Sequence, residues 1–169
     1  MASELTVRAA EAADAPAIAD IYNQGIEDRI ATFETEPRTP EMILQQVLGR
    51  AATHPAVVVE NDGRVVAVAW TGEYRPRQAY AGVAEVSVYV ARSARGQGAG
   101  RLALSAVADA AEARGFWKLV SRIFSENLAS RRLCAAVDFR EVGTYRRHGR
   151  LDGQWRDCVI VERLLGNRA

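Results

Sequence analysis

The sequence predicts an α/β domain built on a mixed sheet, and three observations carry that expectation. Stretches with apolar side chains at every second position interchange with stretches whose apolar residues recur at helical spacing, in the order β-α-α-β-β-β-α-β-α-β-β. An Asn61-Asp62-Gly63 turn joins two valine-rich stretches, the signature of a hairpin. A glycine-rich turn, Arg95-Gly96-Gln97-Gly98-Ala99-Gly100, connects a strand to a long Ala/Leu helix. No internal repeat, low-complexity tract or Gly/Ser linker interrupts the chain, so one domain over residues 1–169 is expected.

Taken in order, Leu5–Arg8 alternates and is a first strand. Asp14 and Pro16 open a helix carried by Ile18, Ile21 and Tyr22. Thr39-Pro40-Glu41 opens a second, with Thr as N-cap, Pro at the first helical position and Glu in the first turn. Val57–Glu60 and Val65–Trp70 are the hairpin strands, followed by a polar loop from Thr71 to Gln78. In the next strand, Val83–Val90, one face carries Val86, Val88 and Val90. The other carries Glu85, Ser87 and Tyr89, uncommon chemistry for a central strand. The long helix is expected over Arg101–Arg114, stopped by Gly115. Lys118–Phe124 is a strand, Leu128–Val137 a helix, and two closing strands flank Asp152-Gly153 and end in Val159-Ile160-Val161.

Composition excludes several function classes. Scaling for 18.5 kDa gives a folded surface of about 8,000 Å² and burial of about 70% of the unfolded area, enough core to fold without staples. Lys and Arg number 22 against 21 Asp and Glu, so no global field points to nucleic acid or a membrane surface. The run Arg146-Arg147-His148-x-Arg150 has only Tyr145 beside it for stacking and reads as a solvated stretch. No apolar run approaches the roughly 20 residues that span a bilayer. Met1-Ala2-Ser3-Glu4 lacks a basic-then-apolar leader pattern, and Cys134 and Cys158 form no C-x-x-C. With His54 and His148 the only histidines, the expectation is a cytoplasmic protein with reduced thiols and no metal.

The glycine-rich turn carries chemistry. Glycines let backbone approach an anion closely, and a helix start offers unpaired N–H groups and a positive dipole end. Arg95 and Arg101 would add charge-assisted donors. Glycines at 96, 98 and 100 do not match the G-x-G-x-x-G dinucleotide spacing, and no Gly-Lys-Ser/Thr follows to make a Walker loop.

Arg95-x-x-Gly98-x-Gly100 after a Val88-Tyr89-Val90 strand resembles the acetyl-coenzyme A loop of the GCN5-related N-acetyltransferase (GNAT) superfamily. Asn127-Leu128-Ala129-Ser130, followed by Leu133 and Phe139, resembles that superfamily's second cofactor segment, and the element order fits end to end. The resemblance implies a mostly antiparallel sheet of about seven strands with about four helices, its central strands splayed for acetyl-CoA. It implies that Arg95, Gly96, Gln97, Gly98, Ala99, Gly100 and Arg101 surround the pyrophosphate. It also implies that the backbone of Val88, Tyr89 and Val90 pairs with pantetheine, and that Asn127 and Ser130 face that arm.

More narrowly, four segments are similar to the phosphinothricin and arsinothricin N-acetyltransferases. They are Thr32-Phe33-Glu34-Thr35-Glu36-Pro37, Tyr74-x-x-Arg77-x-Ala79-Tyr80, Glu85–Val90 and Gly153-x-Trp155-x-Asp157. That similarity implies acetylation of the α-amino group of a toxic glutamate analogue, a role in antibiotic or arsenic resistance, and a homodimer.

Acetylating an ammonium needs a base, and Glu85 is the candidate, with partial burial expected to raise its pKa. Its alternative role is a surface carboxylate paired with an arginine. A backbone N–H near Val88 is the candidate oxyanion donor. Cys134 stands where many superfamily members carry the tyrosine that protonates the leaving thiolate. Arg75 and Arg77 flank Pro76, so the loop is expected to be extended there, with both guanidinium forks side by side for an oxyanion. Phe33 and Tyr80 are candidate pocket walls. The alternatives are acetylation of another small amine, such as methionine sulfone or sulfoximine, and a non-catalytic acetyl-CoA sensor.

Overall fold

Alternation and helical spacing translate into eleven main elements in the computed structural model, which describes residues 4–166. They are β1 (Leu5–Ala9), α1 (Ala15–Asp28), α2 (Pro40–Gln46), β2 (Ala56–Asn61), β3 (Arg64–Glu73), β4 (Val83–Val90), α3 (Ala99–Ala113), β5 (Lys118–Phe124), α4 (Leu128–Ala136), β6 (Arg140–Leu151) and β7 (Gln154–Leu164). Met1–Ser3, the start of the stretch read above for a leader, lie outside the described residues.

Several ends differ from the sequence expectation, each for a physical reason. β3 runs on through Thr71 to Glu73 because those residues pair with β4, and the Thr71 amide and hydroxyl both donate to the Pro55 carbonyl. α3 starts two residues before Arg101 because Gly98, at φ 91°, takes the left-handed conformation and serves as N-cap. It ends at Ala113, one residue before Arg114, and α4 ends at Ala136, one before Val137. β7 continues to Leu164, three residues past Val161, paired with β5 as far as Lys118. The caps and turns follow their chemistry: Thr39 Oγ1 accepts the Met42 N–H at 3.3 Å, and Asp62 and Gly63 take φ of 50° and 74° in the hairpin turn.

The seven strands form one sheet in the order β1-β2-β3-β4-β5-β7-β6, antiparallel everywhere except between β4 and β5. α3 and α4 cover one face, over Val59, Ala67, Val86 and Leu119. α1 and α2 cover the other, where Ile18, Ile21 and Ile43 pack on Val58 and Val68. Asp14, 6% exposed at the head of α1, receives both terminal nitrogens of Arg8 at 2.8 Å and the Glu11 N–H at 2.7 Å. Among the described residues, no helix is long and apolar enough to cross a membrane.

The parallel β4–β5 seam decides where a ligand can enter. Pairing covers only Val83–Glu85 against Lys118–Val120 and then stops. Beyond Glu85 the two central strands diverge, as the resemblance implied.

Candidate active site

Strand alternation sends Val86 into the core beneath α3, with Val88 and Val90 packed against it. Glu85, Ser87 and Tyr89 face a cleft of about 200 Å³ on the other side, which Thr32, Phe33 and Arg122 also border. A smaller cavity of about 60 Å³ continues from it into the β4–β5 gap and reaches Val88, Asn127, Ser130 and Cys134. Backbone polarity in the gap follows from register. The Ala91 N–H donates to the Val66 carbonyl, so by alternation the amides of Val90, Val88 and Val86 turn away from β3 toward the gap. The Val86 amide still serves the Glu85–Val120 pairing and the Val90 carbonyl accepts the Arg95 Nε–H at 3.4 Å, which leaves the Val88 N–H and carbonyl and the Val90 N–H as the open backbone groups on this internal sheet edge.

Glu85 does not have the shielded environment expected of it. Its side chain is 38% exposed, and Arg122 Nη2 donates to its two oxygens at 3.2 and 3.5 Å. The paired alternative is therefore realised, but with a partner that borders the same cleft. Tyr89 packs edge-on to Tyr22 at 4.9 Å and stacks on Trp70 at 5.1 Å. Burial pushes its hydroxyl well above the usual range, so it is a neutral wall. Burial likewise pushes the Cys134 thiol up to about 11. A free thiol titrates near 8.5, so proton transfer from Cys134 to a departing thiolate runs uphill.

The glycine-rich turn has the shape an anion needs. Gly96 and Gly98 take φ of 74° and 91°, and a Cβ at either would meet nothing within 4 Å, so their backbone lies open. Leu102 is the first residue of α3 to donate inside the helix, to the Gly98 carbonyl at 3.1 Å. The Ala99, Gly100 and Arg101 amides precede it and have no intrahelical acceptor. These backbone groups fit the pyrophosphate of acetyl-CoA, with exposed Arg101 beside them. Gly100 is tight instead: a Cβ there would lie 3.1 Å from Leu133 and Val90 side chains.

Arg95 departs from its expected phosphate role. Its Nη2 lies 2.6 Å from Asp28, which also holds Arg92, so its charge is spent anchoring the turn to α1. Gln97 is a strap, donating to the Ser93 carbonyl at 3.2 Å. Asn127 borders the gap, but its amide is committed to structure. It caps α4 by accepting the Ser130 N–H at 3.2 Å and donates to the Ile30 carbonyl at 3.2 Å, tying the Phe33 segment down.

Phe33 reaches the cleft and meets Phe124 edge-on at 4.7 Å. Gly149 permits that position, since a Cβ there would sit 2.7 Å from the Phe33 ring. Arg75, Arg77 and Tyr80 do not border the cleft; all three are exposed. The loop is not extended at Pro76, because the Arg77 N–H turns back to the Arg75 carbonyl at 2.8 Å, a γ-turn. Arg75 lies over the Tyr74 ring at 5.3 Å, and Tyr80 meets that ring edge-on. Asp157 of the C-terminal segment has a structural task, accepting the Arg147 N–H at 2.8 Å where β6 bulges.

Arg122 is the cleft residue the sequence reading missed. Its signal was a lone arginine inside an otherwise mostly apolar strand, Leu119-Val120-Ser121-Arg122-Ile123-Phe124. Among the described residues, no group of three or more His, Cys, Asp or Glu could hold a metal ion.

Comparison with known proteins identifies the family and the fold. Residues 18–139 match the acetyltransferase (GNAT) family. The chain is 35% identical over 167 residues to phosphinothricin N-acetyltransferase of Streptomyces coelicolor, covering 96% of this chain and 98% of that relative. It is 32% identical over 170 residues to an L-methionine sulfoximine/L-methionine sulfone acetyltransferase of Salmonella typhimurium, covering 98% and 97%. A GNAT superfamily phosphinothricin acetyltransferase from Sinorhizobium meliloti, solved in complex with AcCoA, superposes with a TM-score of 0.88 at 32% identity, covering 96% and 89%.

Proposed function

Because the chain belongs to the acetyltransferase (GNAT) family, we propose that it acetylates the α-amino group of a glutamate analogue with a tetrahedral oxyanion side chain, phosphinothricin or arsinothricin, and so confers resistance. The observation that carries this reading is Glu85, a carboxylate facing a cleft of about 200 Å³ at the point where β4 and β5 part. Acetyl-CoA supplies the acyl thioester. The Gly98–Arg101 amides would hold its pyrophosphate, and the Val88, Tyr89 and Val90 stretch of backbone would line its pantetheine arm, with Asn127 and Ser130 at the border. Glu85 takes the first proton from the substrate ammonium, which makes the nitrogen a nucleophile. The new N–C bond replaces two N–H bonds as the thioester C–S bond breaks, and water carries the second proton to the departing coenzyme A thiolate.

The methionine sulfoximine relative favours a second substrate of the same shape, a tetrahedral sulfur centre on the same amino-acid backbone. A free-thiol assay with acetyl-CoA and phosphinothricin, arsinothricin, methionine sulfoximine and glutamate separates these readings. Turnover with an oxyanion analogue well above that with glutamate is expected. Tight acetyl-CoA binding without turnover of any of the four would make the protein a sensor.

We also propose a homodimer joined through the β6–β7 edge, where Val142, Tyr145, Trp155 and Leu164 are exposed. The surface of 9758 Å² exceeds the roughly 8,000 Å² of a monomer this size, as a subunit with an uncovered interface would. Light scattering should give twice the chain mass, and a Trp155→Glu variant half of that; a monomeric parent protein removes the proposal.

A further inference from the structure

We infer that Arg122 anchors the substrate's α-carboxylate, and that the Glu85–Arg122 ion pair is a template for the zwitterionic head of an amino acid. The inference rests on the amino-acid acetylation proposed above and adds to it which end of the substrate each charge takes. Among the described residues bordering the cleft, Glu85 and Arg122 are the charged ones. They stand on the two strands that part. Glu85 pairs with Val120, and Arg122 lies two residues further along the same strand, so both side chains leave the same face of the sheet on opposite sides of the gap.

Their contact is a loose one. A single guanidinium nitrogen reaches the carboxylate at 3.2 and 3.5 Å, and the arginine side chain is 53% exposed. Partly exposed pairs of this kind contribute little and are readily exchanged. An α-amino acid brings an ammonium for Glu85 and a carboxylate that can take both prongs of Arg122, so each charge keeps a partner and Arg122 gains a bidentate one. An amine without the carboxylate does the opposite. It takes Glu85 and leaves Arg122 unpaired beside the incoming ammonium. The pair therefore selects α-amino acids over simple amines, independently of how the far oxyanion is held.

The test compares phosphinothricin with its decarboxylated counterpart, 3-aminopropyl(methyl)phosphinate, in the native enzyme, Arg122→Gln and Arg122→Lys. Arg122→Gln should raise KM for phosphinothricin by about 10- to 100-fold, the loss of a charge-assisted pair. Its KM for the decarboxylated amine should stay level or fall, so the preference between the two collapses. Calorimetric Kd for phosphinothricin in the presence of coenzyme A should rise by the same factor, and Arg122→Lys should recover part of the loss. The melting temperature should not move, because the side chain is exposed. An unchanged KM for phosphinothricin, or equal losses on both amines, overturns the inference; equal losses would mean that Arg122 acts on Glu85 alone. Absence of turnover with either amine in the native enzyme removes the acetylation reading, and this inference with it.

Discussion

A carboxylate that is to relieve an ammonium of its proton must be reachable, and Glu85 is open to solvent on the cleft side. Glutamine in its place keeps the shape and one accepting oxygen but cannot take the proton. Glu85→Gln should lower kcat by roughly 10²- to 10⁴-fold while the Kd for acetyl-CoA barely changes. Raising the pH should restore part of the rate, because more amine is then neutral. A native kcat at neutral pH would end the assignment. Glu85, Ser87 and Tyr89 were legible beforehand because period-two alternation places side chains on faces without knowledge of the rest of the fold. Arg122 was not legible, because its meaning depends on where β5 lies relative to β4, which no local pattern encodes. Arg75 and Arg77 show the converse: two residues of spacing did not fix their geometry, since a γ-turn at Pro76 intervenes.

At the level of elements, the strand–turn–helix unit from β4 to α3 is the part whose chemistry was plainest in the sequence. Its glycines do separate jobs: Gly96 and Gly98 supply left-handed backbone, and Gly100 lets α3 pass close to Leu133 and Val90. Gly98→Val adds a Cβ that meets no protein atom within 4 Å, on a branched side chain that stands where an anion would approach the amides. The backbone strain should cost about 1–2 kcal/mol, a fall in melting temperature of several degrees. Acetyl-CoA affinity by calorimetry should drop more steeply, by about tenfold or beyond. A folded variant with full affinity would mean that the cofactor lies elsewhere. β4 and β5 matched their predicted ranges, whereas β3, β7 and the start of α3 did not, because partners distant in sequence extend strands and a left-handed N-cap extends the helix.

For the whole molecule, acid tolerance should rest partly on the Arg8–Asp14–Glu60 cluster that pins β1 to α1 and β2. Hydrogen bonds from Arg8 hold the buried Asp14 carboxyl below its ordinary value, outweighing the opposing effect of burial. The unfolded chain therefore takes up that proton at higher pH than the native one. The stabilisation is complete above the ordinary carboxylate value of about 3.9 and is lost as the pH falls through the depressed one. Asp14→Asn should cost about 1–2 kcal/mol at pH 7 and flatten the loss of stability below about pH 4, measured by urea unfolding from pH 3 to 7. An unaltered pH slope would show that Asp14 titrates alike in both states. The parting of β4 from β5 has a mechanical consequence as well. Among the described residues, three paired positions and the Trp117 and Lys118 amides on the Gly82 carbonyl stitch the β1–β4 plate to the β5–β7 plate within the sheet, so sub-global opening should follow that seam, with amide exchange at Val88 and Val90 fast relative to the paired strands. A ligand seated along the seam would then behave as a missing strand. It would slow exchange on both plates together and couple them into one cooperative unit, by about 2.7 kcal/mol at a hundredfold excess over Kd.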